Sequence, residues 1–415
     1  MISTIKKSVI YADLYFGFFL FLMMFGGLFK LDKLFLIILL ATCILLCFRG
    51  KKNNVVLMLE IILFAYILLW TVVLLNQKYY FILFLRIFLL FELFQDLSRQ
   101  NILKLEQFLT IIYLLLGLNL LFSFAEYINL FGIRDYFYNT IFSGILNRLI
   151  TVRINGLNTG FDLNGIIIAV MSAFTIYYYS IQKGKRGITY GLILIQLFLI
   201  CSSSRTGVLV FGIVLLFHFK AERWSKNKML FRILVIGVAA LGIISIVLYM
   251  LFGTNTNSAL TQLYNFIFEG FVNLKKTGNF YYASVNDMLK NHYFLPQNLI
   301  TLILGNGLMN ASQVRFTDVG YIQIIFGLGI MGLFLVSVFY FCMYIGGRKR
   351  LKEEYHLKQL YTIIFFSVFL SSFKGGYILE SNLIYIFVTF SGLIYGRGPV
   401  YGKIECLIPV EDENK

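Results

Sequence analysis

Charge, proline and histidine are scarce in this sequence, and cysteine occurs without pattern. Charged residues make up 13% of the 415 positions and hydrophobic ones 59%. Soluble domains carry roughly 25% charged residues, so about half of the usual solvating charge is missing, which excludes a water-soluble globule. The five cysteines, Cys43, Cys47, Cys201, Cys342 and Cys406, show neither metal-ligand nor external disulfide spacing. Cys43 and Cys47 fall inside an apolar block, where thiols behave as small hydrophobes. The three histidines, His218, His292 and His356, are scattered and form no ligand set, so neither a metal nor another cofactor is expected. Three prolines beside abundant Phe, Ile, Lys and Asn match the composition of an AT-rich bacterial genome.

What is abundant is apolar sequence. Leu, Ile, Phe and Val recur in blocks of about 15 to 22 residues, the length a helix needs to cross roughly 30 Å of hydrocarbon. A secretory signal could account for the first block but not for the later ones. The predicted spans are 9–28, 32–48, 55–75, 79–95, 107–126, 163–181, 188–204, 206–220, 232–252, 319–345, 359–372 and 382–396. The expected fold class is therefore an all-α integral membrane protein with about 12 transmembrane helices, a single polytopic domain over 1–415. Twelve crossings put both ends on one side, and the excess of Lys and Arg on inner segments selects the cytoplasm. Lys51, Lys52, Lys183, Lys185, Arg186, Arg348, Lys349 and Arg350 all fall inside under this N-in, C-in arrangement, as does a tail over 398–415. The net charge of +16 would suggest nucleic acid in a soluble protein. Here it reflects that one-sided distribution, so the expected partner is the lipid bilayer of a bacterial plasma membrane, with no nucleic acid.

Two outer loops are far longer than the rest, one over 127–162 and a larger one over 253–318. Loops of that length in compact proteins are usually functional. Leu260, Leu263, Phe266, Ile267, Phe271 and Leu274 recur at helical spacing in the second, as in a helix lying along the interface; a small capping subdomain is the alternative.

Four polar constellations converge on the outer face under this topology. The first is Arg153-Ile154-Asn155-Gly156-Leu157-Asn158, continuing to Asp162 and Asn164-Gly165. It reads either as turn-and-cap chemistry, with Asp162 or Asn164 as N-cap, or as a set of donors and acceptors for a ligand. The second is Ser202-Ser203-Ser204-Arg205-Thr206-Gly207, between two apolar blocks with almost no loop. An arginine there either snorkels to headgroups or pairs with an anion in a pocket, and its Ser-rich setting favours the pocket. The third is Leu304-Gly305-Asn306-Gly307, then Arg315, Thr317, Asp318, Tyr321 and Gln323. Asp318 suits the start of the next helix, and Gly327, Gly329 and Gly332 suit close helix packing. The fourth is the short turn Ser371-Ser372-Phe373-Lys374-Gly375-Gly376-Tyr377, in which Lys374 suits interfacial anchoring. Within the spans, Arg86 lies near the middle of the fourth, with Glu60 and Glu92 toward cytoplasmic ends. They read equally as functional ions or as a structural pairing.

Taken in order, Arg153…Gly156…Asn164-Gly165, Ser204-Arg205-Thr206-Gly207, and Leu304-Gly305-Asn306-Gly307 followed by Asp318, Tyr321 and Gly329-Ile330-Met331-Gly332 form a family pattern. They resemble the O-antigen polymerase and O-antigen ligase superfamily of bacterial envelope glycosyltransferases. The motif matches cover about 155–330, and the topology most of the chain. The resemblance implies a GT-C-like membrane fold with its large extracytoplasmic loop before the tenth helix. It also implies a glycan donor carried on undecaprenyl diphosphate, and metal-free transfer at the outer face with inversion. Arg153 and Arg205 match the family's arginines and would hold the leaving diphosphate, since arginine binds phosphate bidentately. Arg315 and Arg86 join them by position, and Asp162, Asn164, Tyr321, Lys374 and His292 complete the candidate binding set. Ligases carry a histidine just before the tenth span. Here Asp318 stands there and His292 lies well upstream, which favours the polymerase (Wzy-type) branch and makes Asp318 the candidate base, with His292 behind it. The expected activity is polymerisation of polyprenyl-diphosphate-linked oligosaccharide units into capsule, exopolysaccharide or O-antigen. A ligase of the same superfamily and a lipid-linked oligosaccharide flippase are the alternatives. A separate flippase and chain-length regulators are the protein partners of such a system.

Overall fold

Apolar chain without water must satisfy its backbone within each segment, and helices do so. The computed structural model describes residues 2–46, 54–75, 77–136, 153–158, 160–181, 186–221, 265, 269–307, 317–379 and 381–397. Among these, every regular element is a helix and no strand occurs. The order is α1 (Ile2–Phe25), α2 (Asp32–Leu46), α3 (Asn54–Ile67, continued by π-helical Leu68–Leu74), α4 (Tyr79–Arg99) and α5 (Leu105–Tyr127). A single turn, α6 (Ile133–Tyr136), precedes α7 (Phe161–Ile181), α8 (Arg186–Ser203) and α9 (Arg205–Ala221). Three short helices follow, α10 (Glu269–Thr277), α11 (Ala283–Asp287) and α12 (Leu299–Leu304). The last described helices are α13 (Gly320–Arg350), α14 (Tyr355–Ser371) and α15 (Asn382–Gly396). The apolar blocks expected to be helical are helical, apart from 232–252, which lies outside the described residues. So do Leu260, Leu263, Phe266, Ile267, Arg315, the tail 398–415 and much of both long loops.

Among the described residues, four helices are long and apolar enough to cross a membrane: Val56–Leu74, Leu105–Tyr127, Phe161–Tyr179 and Gly320–Arg350. Their environments differ. The Phe161–Tyr179 segment is 78% buried and runs through the middle of the bundle, whereas Val56–Leu74 is 28% buried and lies at its edge. Ile37, Ile44, Ile61, Leu69 and Val73 stand exposed on α2, on α3 and on its π-helical continuation, an apolar surface that suits hydrocarbon.

Packing inside is aromatic and tight. Tyr344 stacks on Phe365 at 4.1 Å between ring centres, and Tyr361 lies over Phe387 at 5.4 Å. The Tyr361 hydroxyl is fully buried and finds Ser391 Oγ at 2.8 Å and the Met343 carbonyl at 3.1 Å, which offsets the cost of its desolvation.

α13 is broken in its first half. Gly329 adopts φ 69° and ψ −179°, a conformation only glycine tolerates well. The break frees carbonyls, and neighbouring segments claim them. The N–H groups of Asn306 and Gly307 donate to Phe326 and Gly327 at 2.7 and 2.9 Å. The Tyr66 hydroxyl reaches the Leu328 carbonyl at 2.6 Å. The Leu304–Gly307 turn is thereby seated against the break. The glycines of this span were expected to serve close helix packing. Gly327 does, since the Tyr80 ring occupies the space a side chain would need, but Gly329 serves the discontinuity.

Candidate functional site

The segment 153–158 runs back into the bundle instead of over its surface. Ile154, Asn155, Leu157 and Asn158 are buried, so the backbone polar groups there need partners. α5 supplies them from one face, because Asn119, Ser123 and Glu126 recur at helical spacing. The buried Glu126 carboxylate accepts the N–H groups of Asn155 and Gly156, the latter at 2.7 Å. Asn119 Oδ1 accepts from the Leu157 N–H at 2.8 Å and from the Asn158 amide at 2.9 Å. Asn164 accepts from Asn119 and Asn158 and donates to the Ile154 carbonyl and Ser203 Oγ. Asn382, at the start of α15, donates to Asn158 Oδ1 at 2.9 Å. Gly156 sits at φ +56°, and a Cβ there would fall 2.4 Å from Ser123 Oγ. Apart from the Asn155 side chain, whose buried amide finds no partner among the described residues, the network is satisfied, and it makes the segment a rigid mount. Asn164, fully buried, is part of that mount.

The mount holds Arg153 and Asp162. One oxygen of Asp162 accepts three donors from three parts of the chain: Arg153 Nη2 at 3.0 Å, Lys374 Nζ at 2.9 Å and Ser204 Oγ at 2.8 Å. Two cationic nitrogens lying 3.0 and 2.9 Å from one atom are at most 5.9 Å apart. Arg153 is fixed further by a bond from Nε to the Ser203 carbonyl at 3.2 Å and by the Phe161 ring at 4.7 Å. Its side chain is 12% exposed and that of Lys374 33%, so the cluster opens outward at the lysine. Ser204 is the N-cap of α9: its Oγ accepts the Gly207 N–H at 3.2 Å while donating to Asp162. The Ser-Arg-Thr-Gly turn is thus both a helix start and a wall of the site.

Arg205 takes a different partner. Its guanidinium pairs with Glu269 at the start of α10 and lies 4.5 Å over the Tyr282 ring. The other Glu269 oxygen accepts the Ala283 N–H at 2.8 Å.

Asp318 lies beside His292. Its N–H donates to His292 Nδ1 at 3.1 Å, and its carboxylate lies 3.9 Å from the same nitrogen. With Nδ1 accepting, the ring proton sits on Nε2, toward Asp287 at 3.6 Å. Partial burial pushes the Asp318 carboxyl above its ordinary value; His292 and Lys374 oppose this, and Asp162 and Asp287 add to it. Burial pushes the Tyr377 phenol up as well, and Asp162, Arg153 and Asp318 all act on it electrostatically. A backbone contact links the Asp162 cluster to the Asp318 pair. The first turn of α13 is anchored to the Lys374 turn by the Gly320 N–H on the Ser372 carbonyl at 3.0 Å. The Tyr321 hydroxyl donates to the Phe369 carbonyl at 2.7 Å.

The structure thus brings together Arg153, Asp162, Lys374 and Asp318 with His292, and gives Arg205 a neighbouring anchor. Arg86 is half-buried near the middle of α4, and Arg315 lies outside the described residues. Glu126 and Glu269 went unnoticed in the sequence. Glu126 left a signal, as the third member of a polar stripe on an otherwise apolar helix. Glu269 left none. A cleft lined by Ala173, Tyr177, Val214, His356 and Gln359 lies toward the far end of α7 from Asp162 and shares no residue with the cluster. Among the described residues no group of three His, Cys, Asp or Glu could hold a metal ion. No protein-family model matches the chain, and no curated protein matches it.

Proposed function

We propose that this chain is a membrane polymerase that joins polyprenyl-diphosphate-linked oligosaccharide units at the outer face of a bacterial plasma membrane, with twelve crossings and both ends inside. The observation that carries this reading is the Asp162 cluster: two cations, at most 5.9 Å apart, one of them on the turn that binds the start of the helix following Asp318. Cations that close can bind one diphosphate between them, and a leaving diphosphate needs fixed positive charge as its bond to the sugar breaks. In the reaction, an acceptor hydroxyl oxygen forms the new bond to the donor's anomeric carbon while the bond from that carbon to the diphosphate oxygen breaks. Asp318 takes the hydroxyl proton, and the diphosphate stays on its lipid. Asp162 is the positioning residue that holds Arg153 and Lys374 side by side.

His292 supports a second reading. A histidine near the end of the large loop marks the ligase branch, and His292, although upstream in sequence, lies 3.9 Å from the Asp318 carboxylate. A ligase would pass finished glycan to a different acceptor.

Deleting the protein is expected to leave single lipid-linked units without long polymer, read on gels of lipid-linked glycan. Arg153→Ala and Arg205→Ala are expected to do the same while membrane insertion stays intact. Polymer of normal length in the deletion strain sinks the polymerase, and long polymer that is not anchored selects the ligase.

A further inference from the structure

The chemistry that leaves Arg153 and Lys374 on one carboxylate leaves Arg205 on another, and the second carboxylate is not part of the bundle. Glu269 divides its two oxygens. One takes Arg205, and the other takes the Ala283 N–H at 2.8 Å. One side chain therefore closes the hairpin from α10 to the start of α11 and ties that hairpin to the start of α9. The hairpin is a small packed unit. Phe280 lies edge-on to both Phe271 at 5.3 Å and Tyr282 at 5.6 Å, and it covers the buried Gly270. Asn273 donates to the Tyr281 carbonyl at 2.9 Å. Its outer side is exposed at Phe271, Leu274 and Phe280. The ion pair itself is reachable, with side chains 23% and 22% exposed.

We propose that Glu269 is a resident counter-anion on Arg205, displaced by the phosphate of an incoming lipid diphosphate, and that its displacement releases the 269–283 hairpin. A phosphate offers more charge and more acceptor oxygens to a guanidinium than a carboxylate does, so it wins the exchange. Tyr282 stays on the face of Arg205 during the exchange, because stacking and in-plane hydrogen bonding use different surfaces of the guanidinium. Once Arg205 is taken, Glu269 loses its fixed position, and the Ala283 N–H loses a well-held acceptor. The identity of the anion rests on the polymerase reading. The exchange itself needs only a phosphate on Arg205, which an anionic phospholipid could also supply.

The test is hydrogen–deuterium exchange on the full chain in phosphatidylcholine nanodiscs, with geranylgeranyl diphosphate as the probe. Exchange of amides 270–283 is expected to rise by about fivefold or more when the probe binds, and to stay unchanged with uncharged geranylgeraniol. Glu269→Gln is expected to show fast exchange without probe and to bind the probe roughly tenfold more tightly, having lost the competing anion. Binding that leaves exchange unchanged or slower overturns the proposal, as does weaker binding by Glu269→Gln or no binding at all. Equal acceleration by phosphatidylglycerol assigns the anion to the bilayer and overturns the substrate latch. The wild-type arms stand without the variant. Glycan accumulation in the deletion strain is independent of all of them and tests the polymerase reading separately.

Discussion

Asp318 answers to two influences of opposite sign. Desolvation, Asp162 and Asp287 raise its proton affinity, while His292 and Lys374 lower it, and the balance is upward. A base works only in its ionised form. A raised pKa therefore moves the acidic limb of the rate profile to higher pH than an ordinary aspartate, near 3.9, would give. Polymerisation in membrane vesicles is expected to fall as pH drops through that limb. His292 opposes the upward shift of Asp318, so His292→Ala should push the limb higher still. Asp318→Asn should abolish the limb together with about a hundredfold or more of the rate. A limb that stays put or moves down in His292→Ala removes Asp318 from the base role. The sequence named both residues. It could not show that 26 positions of separation close to hydrogen-bonding distance between the Asp318 N–H and His292 Nδ1, because a loop conformation decides that.

At the scale of elements, the break in α13 is the feature least visible beforehand. Apolar blocks mark helices because burial follows composition, and α5, α7 and α15 could be placed from them to within a few residues. Gly327 and Gly329 look alike in such a block. One admits the Tyr80 ring and the other turns the backbone, and only the neighbouring Leu304–Gly307 turn decides which does which. The contrast is measurable. Gly329→Ala would meet a positive φ and the Ile303 carbonyl, and is expected to cost about 1–3 kcal/mol of stability. Gly212→Ala, on α9 with nothing within 4 Å of the new Cβ, is expected to be neutral or stabilising by up to about 1 kcal/mol. Thermal melts of the two variants in detergent should move in opposite directions or differ clearly. Equal melts would mean that the break contributes nothing to folding.

Across the whole molecule, the contacts that build the candidate site span long sequence distances. Arg153 and Asp162 are 9 positions apart and could be suspected from one loop. Lys374 and Asp162 are 212 apart, and no local pattern pairs them. What the sequence offered was an excess of polar groups at one end of an apolar bundle, enough to locate a site and too little to connect it. The twelve-span, N-in arrangement makes its own prediction. In a background lacking native cysteines, Lys275→Cys should react with an impermeant maleimide added to whole cells, and Lys352→Cys should react only after lysis. Reversed labelling would turn the bundle over and put the cationic cluster on the wrong side for lipid-linked glycan. Ser204 carries a double consequence. Its single hydroxyl begins α9 and braces Asp162 at once, so Ser204→Ala would loosen the helix start and the carboxylate that holds both cations in one step. A chain whose α9 frays at its first turn would thus also lose the brace on its anion-binding end.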